Sequence, residues 1–188
     1  VVTVTIASLY ATGVRPGDNY CCPSSPAWGH GLAHGTIGPL ALGVNITAWS
    51  GQFNPERMLQ VLQDYEITNL SAAATHYRMM KNSGVADEFT NSIKKLSFTG
   101  EPIDTDTAQF AERVFGTPVR SIYGTTEVGV ILGCYPGAPD FPMKLGSLGK
   151  ALPGLEVDVL DADRKPCAAG QTGEIMVRRR DGWFPTKD

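Results

Sequence analysis

The sequence lacks several features that assign a chain quickly to a common class of protein. Its 188 residues contain no G-x-x-x-x-G-K-[ST] phosphate loop, so a bound nucleotide would need another kind of site. No run of about 18 apolar residues occurs, so we expect no membrane-spanning helix. The 16 basic residues face 19 acidic ones, a net charge of −3. This balance argues against nucleic acid as a partner.

Cysteine is scarce and irregularly spaced. The four cysteines are Cys21, Cys22, Cys134 and Cys167, and their spacings match neither a zinc ribbon nor a C-x-x-C motif. Adjacent Cys21 and Cys22 cannot easily form a disulfide with each other. We therefore expect buried, reduced thiols, as in a cytoplasmic enzyme.

The first two thirds of the chain alternate between strand and helix patterns. Strands are predicted near residues 19–22, 44–49, 67–72, 96–99 and 119–122, and helices near 54–65, 75–81 and 104–115. Asn54 followed by Pro55 is typical of a helix start. This alternation predicts an α/β fold with a parallel sheet of βαβ units. Residues 1–10 are apolar, and their β-branched residues favour a strand.

The pattern changes after Pro142. Residues 155–160 and 175–177 alternate strictly between apolar and polar side chains, and turn residues lie between them. Such alternation is typical of antiparallel strands with one solvated face. We therefore predict a small antiparallel β-roll at residues 144–188, following an α/β subdomain at residues 1–143.

The most informative segment is residues 123–127, with the sequence YGTTE. It follows the predicted strand 119–122, and a second strand, 96–99, is followed by residues 100–102, GEP. One right-handed crossover would place these two strand ends side by side. Carboxyl ends of parallel strands are where α/β proteins bind ligands. The alternative interpretation of YGTTE is a hairpin that happens to be polar.

Five motifs in this order resemble the adenylate-forming superfamily, which includes acyl-CoA synthetases, luciferases and the adenylation domains of peptide synthetases. Within it the chain is most similar to acetyl-CoA and medium-chain acyl-CoA synthetases. The motifs are residues 100–102 (GEP), 123–127 (YGTTE), 146–150 (GSLGK), 170–174 (GQTGE) and 182–188 (GWFPTKD). The resemblance favours a helix over a strand for residues 1–10.

The resemblance implies a ligase that converts a carboxylic acid and ATP into acyl-AMP and then forms a thioester with CoA. The expected partners are therefore a carboxylic acid, ATP and CoA, and the expected cofactor is Mg²⁺. In this family the phosphate loop with its lysine would precede Val1, and a small domain with the catalytic lysine would follow Asp188. We therefore expect an internal piece of the large N-terminal domain, without adenylation activity of its own.

The resemblance also implies roles for residues of the YGTTE motif. Glu127 would bind Mg²⁺, and the Thr126 hydroxyl would contact the α-phosphate of ATP. Tyr123 would lie against the adenine ring, and Gly124 and Thr125 would belong to the same nucleotide-binding segment. An aromatic face suits a base, and a carboxylate suits Mg²⁺.

Two further segments are implied in nucleotide binding. Gly100, Glu101 and Pro102 would line the adenine and ribose pocket, and Asp188 would bind both ribose hydroxyls. Glu101 would also suit a helix N-terminus. Lys187 departs from the family, which usually has glycine at that position.

An acyl pocket is implied around a set of apolar and aromatic residues. Its expected members are Trp28, Gly31, His34, Thr75, Tyr77, Gly124 and Gly129. Acetyl-specific relatives have a tryptophan where this chain has Gly124. The missing indole predicts room for a medium-chain or aromatic acid.

Two other functions remain open from the sequence. An adenylation domain that loads a carrier protein would share the same motifs, because the acceptor is chosen largely outside this region. A stand-alone binding module with a degenerate enzyme fold is the second alternative, and intact Thr126 and Glu127 argue against it.

Overall fold

The computed structural model describes residues 1–138 and 144–188. The α-helices are α1 (Val2–Tyr10), α2 (Gly38–Ala41), α3 (Pro55–Asp64), α4 (Ala74–Ser83) and α5 (Thr105–Phe115), with a π-helix at His30–Ile37 and a 3₁₀ turn at Ala86–Glu88. The strands are β1 (Asn19–Cys22), β2 (Asn45–Ala48), β3 (Asn69–Ala73), β4 (Lys95–Thr99), β5 (Val119–Thr125), β6 (Gly129–Gly133), β7 (Lys150–Ala151), β8 (Val157–Leu160), β9 (Glu174–Arg179) and β10 (Gly182–Pro185).

Strands β1 to β5 form the parallel part of a seven-stranded sheet with the order β2-β1-β3-β4-β5-β6-β7. Helix α4 connects β3 to β4, and helix α5 connects β4 to β5. These two parallel crossovers confirm the predicted βαβ units. The expected N-cap is also confirmed, because the Asn54 side chain accepts a hydrogen bond of 2.7 Å from the Arg57 backbone N–H. Residues 2–10 form a helix, as the resemblance favoured and β propensity did not.

The YGTTE motif does not end a parallel strand in a crossover loop. Strand β5 continues through Thr125 and returns antiparallel as β6 after a three-residue turn. Gly129 begins the return strand with φ of +70°, a conformation that glycine adopts at little cost. If β6 paired with β5 in parallel, the connection between them would need a dozen or more residues, but only three residues separate the two strands. The polar-hairpin alternative is therefore correct for the backbone.

A second sheet has three antiparallel strands in the order β10-β9-β8, which confirms the predicted antiparallel unit. The predicted boundary between residues 143 and 144 lies at the edge of residues 139–143, which are outside the described residues, and the subdomain division stays a prediction. Strand β7 pairs with β6 of the large sheet, so the change of sheet follows Ala151.

Side-chain alternation on β1 shows how the large sheet is covered. Cys21 belongs to the main core with α3, α4 and α5, whereas Tyr20 and Cys22 belong to a separate cluster on the other face. Helix α1 packs on that other face through Ala7 and Ala11. Among the helices of residues 1–138 and 144–188, none is both long and apolar enough to cross a membrane.

A buried ion pair joins the amino ends of the parallel strands. Lys95 Nζ lies 2.6 Å from Asp18 Oδ2, and both side chains are only 11–12% exposed. Lys95 also donates to the Gly13 carbonyl at 2.8 Å, and Asn69 donates to the Thr12 carbonyl at 3.0 Å. These bonds connect the loop after α1 to the first residues of β3 and β4.

We predict that Asp18→Asn destabilises the fold by about 3–5 kcal/mol, because it leaves the Lys95 charge buried without a counter-ion. The matched control is Asp87→Asn, which breaks an ion pair with Arg113 whose side chains are 69% and 59% exposed. That change should cost at most about 1 kcal/mol. Urea unfolding curves measure both effects, and equal losses would contradict the role of burial.

Candidate nucleotide site

A cleft of about 430 Å³ opens where β4 and β5 end. One wall is the segment that follows β4, and the other is the end of β5, as the predicted crossover requires. Residues of the GSLGK motif and the chain's last residue complete the lining. The lining residues are Phe98, Thr99, Gly100, Glu101, Pro102, Ile103, Ser121, Ile122, Tyr123, Gly124, Gly146, Ser147, Leu148 and Asp188.

The first wall carries Glu101 on the loop between β4 and α5. The Thr75 hydroxyl donates a short hydrogen bond to the Glu101 carboxylate, and Arg78 Nη1 lies 3.5 Å from it. The Thr75 hydrogen bond, with a smaller contribution from Arg78, lowers the pKa of Glu101. The expected helix-terminal role belongs instead to Asp104, which caps α5 by accepting from the Thr107 N–H at 2.9 Å.

The second wall joins the two sheets through Tyr123. Its hydroxyl donates to Asp188 Oδ2 at 2.6 Å, and Thr186 Oγ1 lies 3.3 Å away. Thr186 is 96% buried, and its hydroxyl donates to the Ile175 carbonyl at 2.8 Å. Burial, and then the hydrogen bond to Asp188, raise the pKa of Tyr123. Tyr123 therefore stays a neutral donor at physiological pH.

Thr126 and Glu127 lie in the exposed turn between β5 and β6. The Thr125 hydroxyl is the main cause of a lowered pKa at Glu127, and the charge of Lys187 contributes. The Glu127 carboxylate is therefore ionised at neutral pH. The turn is also held from the second sheet, because Arg179 Nη2 donates to the Glu127 backbone carbonyl at 2.8 Å.

The structure contradicts the expectation of free space beside Gly124. A Cβ atom at Gly124 would lie 2.1 Å from the Gly129 carbonyl oxygen and 2.6 Å from Val130 Cα. Both neighbours are backbone atoms of β6, at the point where the β5–β6 register shifts. The glycine therefore allows close approach of the hairpin strands, and the expected preference for a medium-chain or aromatic acid stays a prediction.

The other residues expected in an acyl pocket are not gathered around this cleft. Trp28 is 73% exposed, whereas Tyr77 is fully buried in the main core, with its hydroxyl 2.9 Å from the Ser97 carbonyl. Gly31 packs against the backbone of residues 24 and 25. Thr75 reaches the cleft only through Glu101. Gly129 is exposed in the hairpin.

His34, the remaining member of that set, lies beside a polar network under the π-helix. His34 is 95% buried, and among the described residues its Nδ1 atom has no hydrogen-bond partner. Its neighbour His30 is bonded on both ring nitrogens, to Ser24 Oγ and Ser71 Oγ at 2.9 Å each. Burial lowers the pKa of His30 to about 3, so its ring is neutral. The acyl-pocket assignment of this set stays a prediction.

Sequence reasoning missed three groups that the structure brings to the site. Ser147 lines the cleft, Thr186 supports Tyr123, and Arg179 holds the Glu127 turn. Ser147 stood within the GSLGK motif and Thr186 within the GWFPTKD motif, so both had a sequence signal. Arg179 had none, because its contact lies 52 residues away along the chain.

A parallel α/β sheet with a cleft at adjoining strand ends places this chain among the α/β proteins, whose ligand sites lie at that edge. A family model described as AMP-binding enzyme matches residues 1–183. The chain therefore belongs to the AMP-binding enzyme family.

Known relatives agree with this assignment. The chain is 29% identical over 155 residues to an uncharacterised acyl-CoA ligase of Bacillus subtilis (strain 168), with 82% of this chain and 29% of that protein covered. It is 29% identical over 186 residues to an acetyl-coenzyme A synthetase of Pyrobaculum arsenaticum, with 91% and 28% covered. The chain thus spans less than a third of the length of these relatives.

Solved structures share the fold. The structure of a Brucella canis acyl-CoA synthetase superposes with a TM-score of 0.89 at 24% identity, covering 99% of this chain and 35% of the other. Apo MatB from Rhodopseudomonas palustris gives 0.83 at 22% identity, covering 100% and 40%. The predicted fold class is confirmed by these superpositions.

We predict that Gly124→Ala destabilises the protein by about 1–3 kcal/mol, because the added methyl group overpacks the hairpin. Gly29→Ala is the matched control, since a Cβ atom there has no neighbour within 4 Å among the described residues. The control should change stability by no more than about 0.5 kcal/mol. Thermal unfolding compares the two, and a Gly124→Ala protein as stable as the wild type would contradict the close approach.

Proposed function

We propose that the protein carrying this chain is an acid–thiol ligase, which forms an acyl-adenylate from a carboxylic acid and ATP and then a thioester with CoA. The observation that carries this proposal is the cleft that gathers Gly100–Pro102, Tyr123 and Asp188 from three separate segments of the chain. Family membership supports the adenylate, and the names of the relatives support CoA as acceptor.

The cleft fits a nucleoside by its chemistry. Tyr123 offers an aromatic face to adenine, Gly100 and Pro102 offer backbone close to the ring, and Asp188 offers carboxylate oxygens to the ribose hydroxyls. A volume of about 430 Å³ is within the range of small-ligand sites. We assign ATP and AMP to this cleft.

The exposed turn fits the phosphate end. Glu127 is ionised and faces solvent, and the hydroxyl of the exposed Thr126 stands next to it in the chain. Carboxylate and hydroxyl oxygens are suitable ligands for Mg²⁺. When bound there, Mg²⁺ would supply positive charge that offsets the phosphates of ATP. The Thr126 hydroxyl would donate a hydrogen bond to the α-phosphate, where negative charge grows as the acid attacks.

The carboxylate substrate and ATP are both anions, so the site must limit repulsion. Glu101 shares its charge with Thr75 and Arg78, and Asp188 shares its own with Tyr123. All three carboxylates are exposed, and among them Glu127 has neither a salt bridge within 4 Å nor a tyrosine donor in the described residues, so we assign the cation to it. We propose no chain length for the acid.

A carrier-protein-loading adenylation domain would use the same nucleotide cleft. The relatives' names favour CoA, and assays that offer the full-length protein CoA or a carrier protein separate the two acceptors. Intact Thr126 and Glu127 favour an enzyme over a binding module. Four free cysteines support a reducing compartment, and we propose the cytoplasm.

We predict that Glu127→Ala in the full-length protein lowers adenylate formation by about 10²–10³-fold without unfolding it, because an electrostatic group at the reacting phosphates is lost. The exposed turn position explains why the fold should survive. Glu112→Ala, an exposed change on α5, is the control. Pyrophosphate exchange and circular dichroism give the two readouts. An active Glu127→Ala enzyme, or an unfolded one, would contradict the metal-binding role.

We predict that the 188-residue chain alone gives no measurable pyrophosphate exchange. The full-length protein, assayed under the same conditions, is the positive control. The expected reason is that the 188-residue sequence holds no glycine-rich phosphate loop with a lysine. Robust turnover by the purified chain would show that the described cleft and turn suffice for the reaction.

A further inference from the structure

The Tyr123 hydroxyl joins two parts of the site that belong to different sheets. Tyr123 lies on β5 of the large sheet, and Asp188 lies three residues beyond β10 of the small one. The two residues are 65 positions apart, yet the hydroxyl and Asp188 Oδ2 are separated by 2.6 Å. This contact connects the proposed adenine-binding ring directly to the proposed ribose-binding carboxylate.

The buried hydroxyl of Thr186 supports this contact. Thr186 uses its single hydrogen to donate to the Ile175 carbonyl, so its oxygen can only accept from its other neighbours. Tyr123 Oη at 3.3 Å and the Asp188 backbone N–H at 3.4 Å both point to it. The tyrosine hydroxyl also has a single hydrogen, which goes to the closer acceptor, the Asp188 carboxylate at 2.6 Å, while the Thr186 oxygen lies beside it.

We propose that the Tyr123 hydroxyl is a positioning group that orients the Asp188 carboxylate for ribose, so that Tyr123 contributes to the preference for a ribonucleotide. This inference rests on the proposed function, which places ribose at Asp188. A hydrogen bond to a carboxylate is stronger than one between neutral groups. It occupies Oδ2 and restrains an exposed side chain near the end of a strand, whose rotation would otherwise oppose binding.

The proposal separates two roles of one side chain. The ring of Tyr123 can contact adenine without its hydroxyl, whereas only the hydroxyl can hold Asp188. Tyr123→Phe removes the second role and keeps the first. A phenylalanine should therefore alter recognition of the sugar and leave recognition of the base in place.

The experiment measures the binding of ATP, 2′-deoxy-ATP and GTP to the full-length protein, for the wild type and for Tyr123→Phe. We expect the variant to bind ATP about 10-fold more weakly, with a smaller change for 2′-deoxy-ATP and an unchanged ratio of ATP to GTP. The preference for ATP over 2′-deoxy-ATP should therefore shrink. An equal loss for ATP and 2′-deoxy-ATP would show a general structural role and overturn the inference.

Two further variants make the result specific. Tyr135→Phe removes a hydroxyl that bonds to the Ala151 carbonyl away from Asp188, and the ATP to 2′-deoxy-ATP ratio should stay at its wild-type value. Asp188→Asn should reduce that ratio, and adding Tyr123→Phe to it should cause little further change.

The same variants distinguish failure of the inference from failure of the proposed function. If Asp188→Asn reduces the ribose preference and Tyr123→Phe does not, the positioning role is wrong and the nucleotide site stands. If Asp188→Asn leaves the ribose preference intact, ribose is not at Asp188, and both assignments fail.

Discussion

The parallel pairing of β4 with β5 is the constraint on which the site depends. Phe98 lies opposite Ser121, so the loop after Thr99 and the end of β5 emerge at the same edge of the sheet. Helix α5 makes the crossover, capped by Asp104 at its start and ended by Gly116 in the left-handed conformation. A shift of one residue in this register would turn each side chain of β5 to the opposite face. The cleft would then lose Tyr123 from its wall.

The candidate site is formed by residues of both sheets. Asp188 reaches Tyr123 from the strand end of β10, and Arg179 on β9 reaches the turn that carries Glu127. Arg179 is itself stacked against Phe184, with the guanidinium 3.9 Å from the ring centroid. Both proposed ends of the nucleotide, sugar and phosphates, are therefore in contact with the same β9–β10 hairpin. Movement of that hairpin would alter both contacts together.

The distribution of charge in the site follows from its local partners. Arg78 lies between Glu101 and Asp104 and contacts both carboxylates, and Lys81 adds a second cation at Asp104. These side chains are partly exposed, so their contribution to stability is small. Under the proposed function their effect on ATP is more relevant, because they offset acidic charge on one wall of the cleft. Glu127 forms no salt bridge within 4 Å among the described residues. The Thr125 hydroxyl is the main cause of its lowered pKa and Lys187 the only contributing charge, which is compatible with the proposed metal role.

The sequence by itself determined the features that depend on near neighbours. The cap at Asn54 acts over three residues, and the βαβ alternation and the YGTTE and GEP motifs could be recognised in the sequence for the same reason. Tertiary structure decided the burial of Tyr77 and the bond from Tyr123 to Asp188. These depend on backbone approach and on hydrogen bonds between residues far apart in the chain. Local propensity carries no information about such distances, and packing of the two sheets sets them.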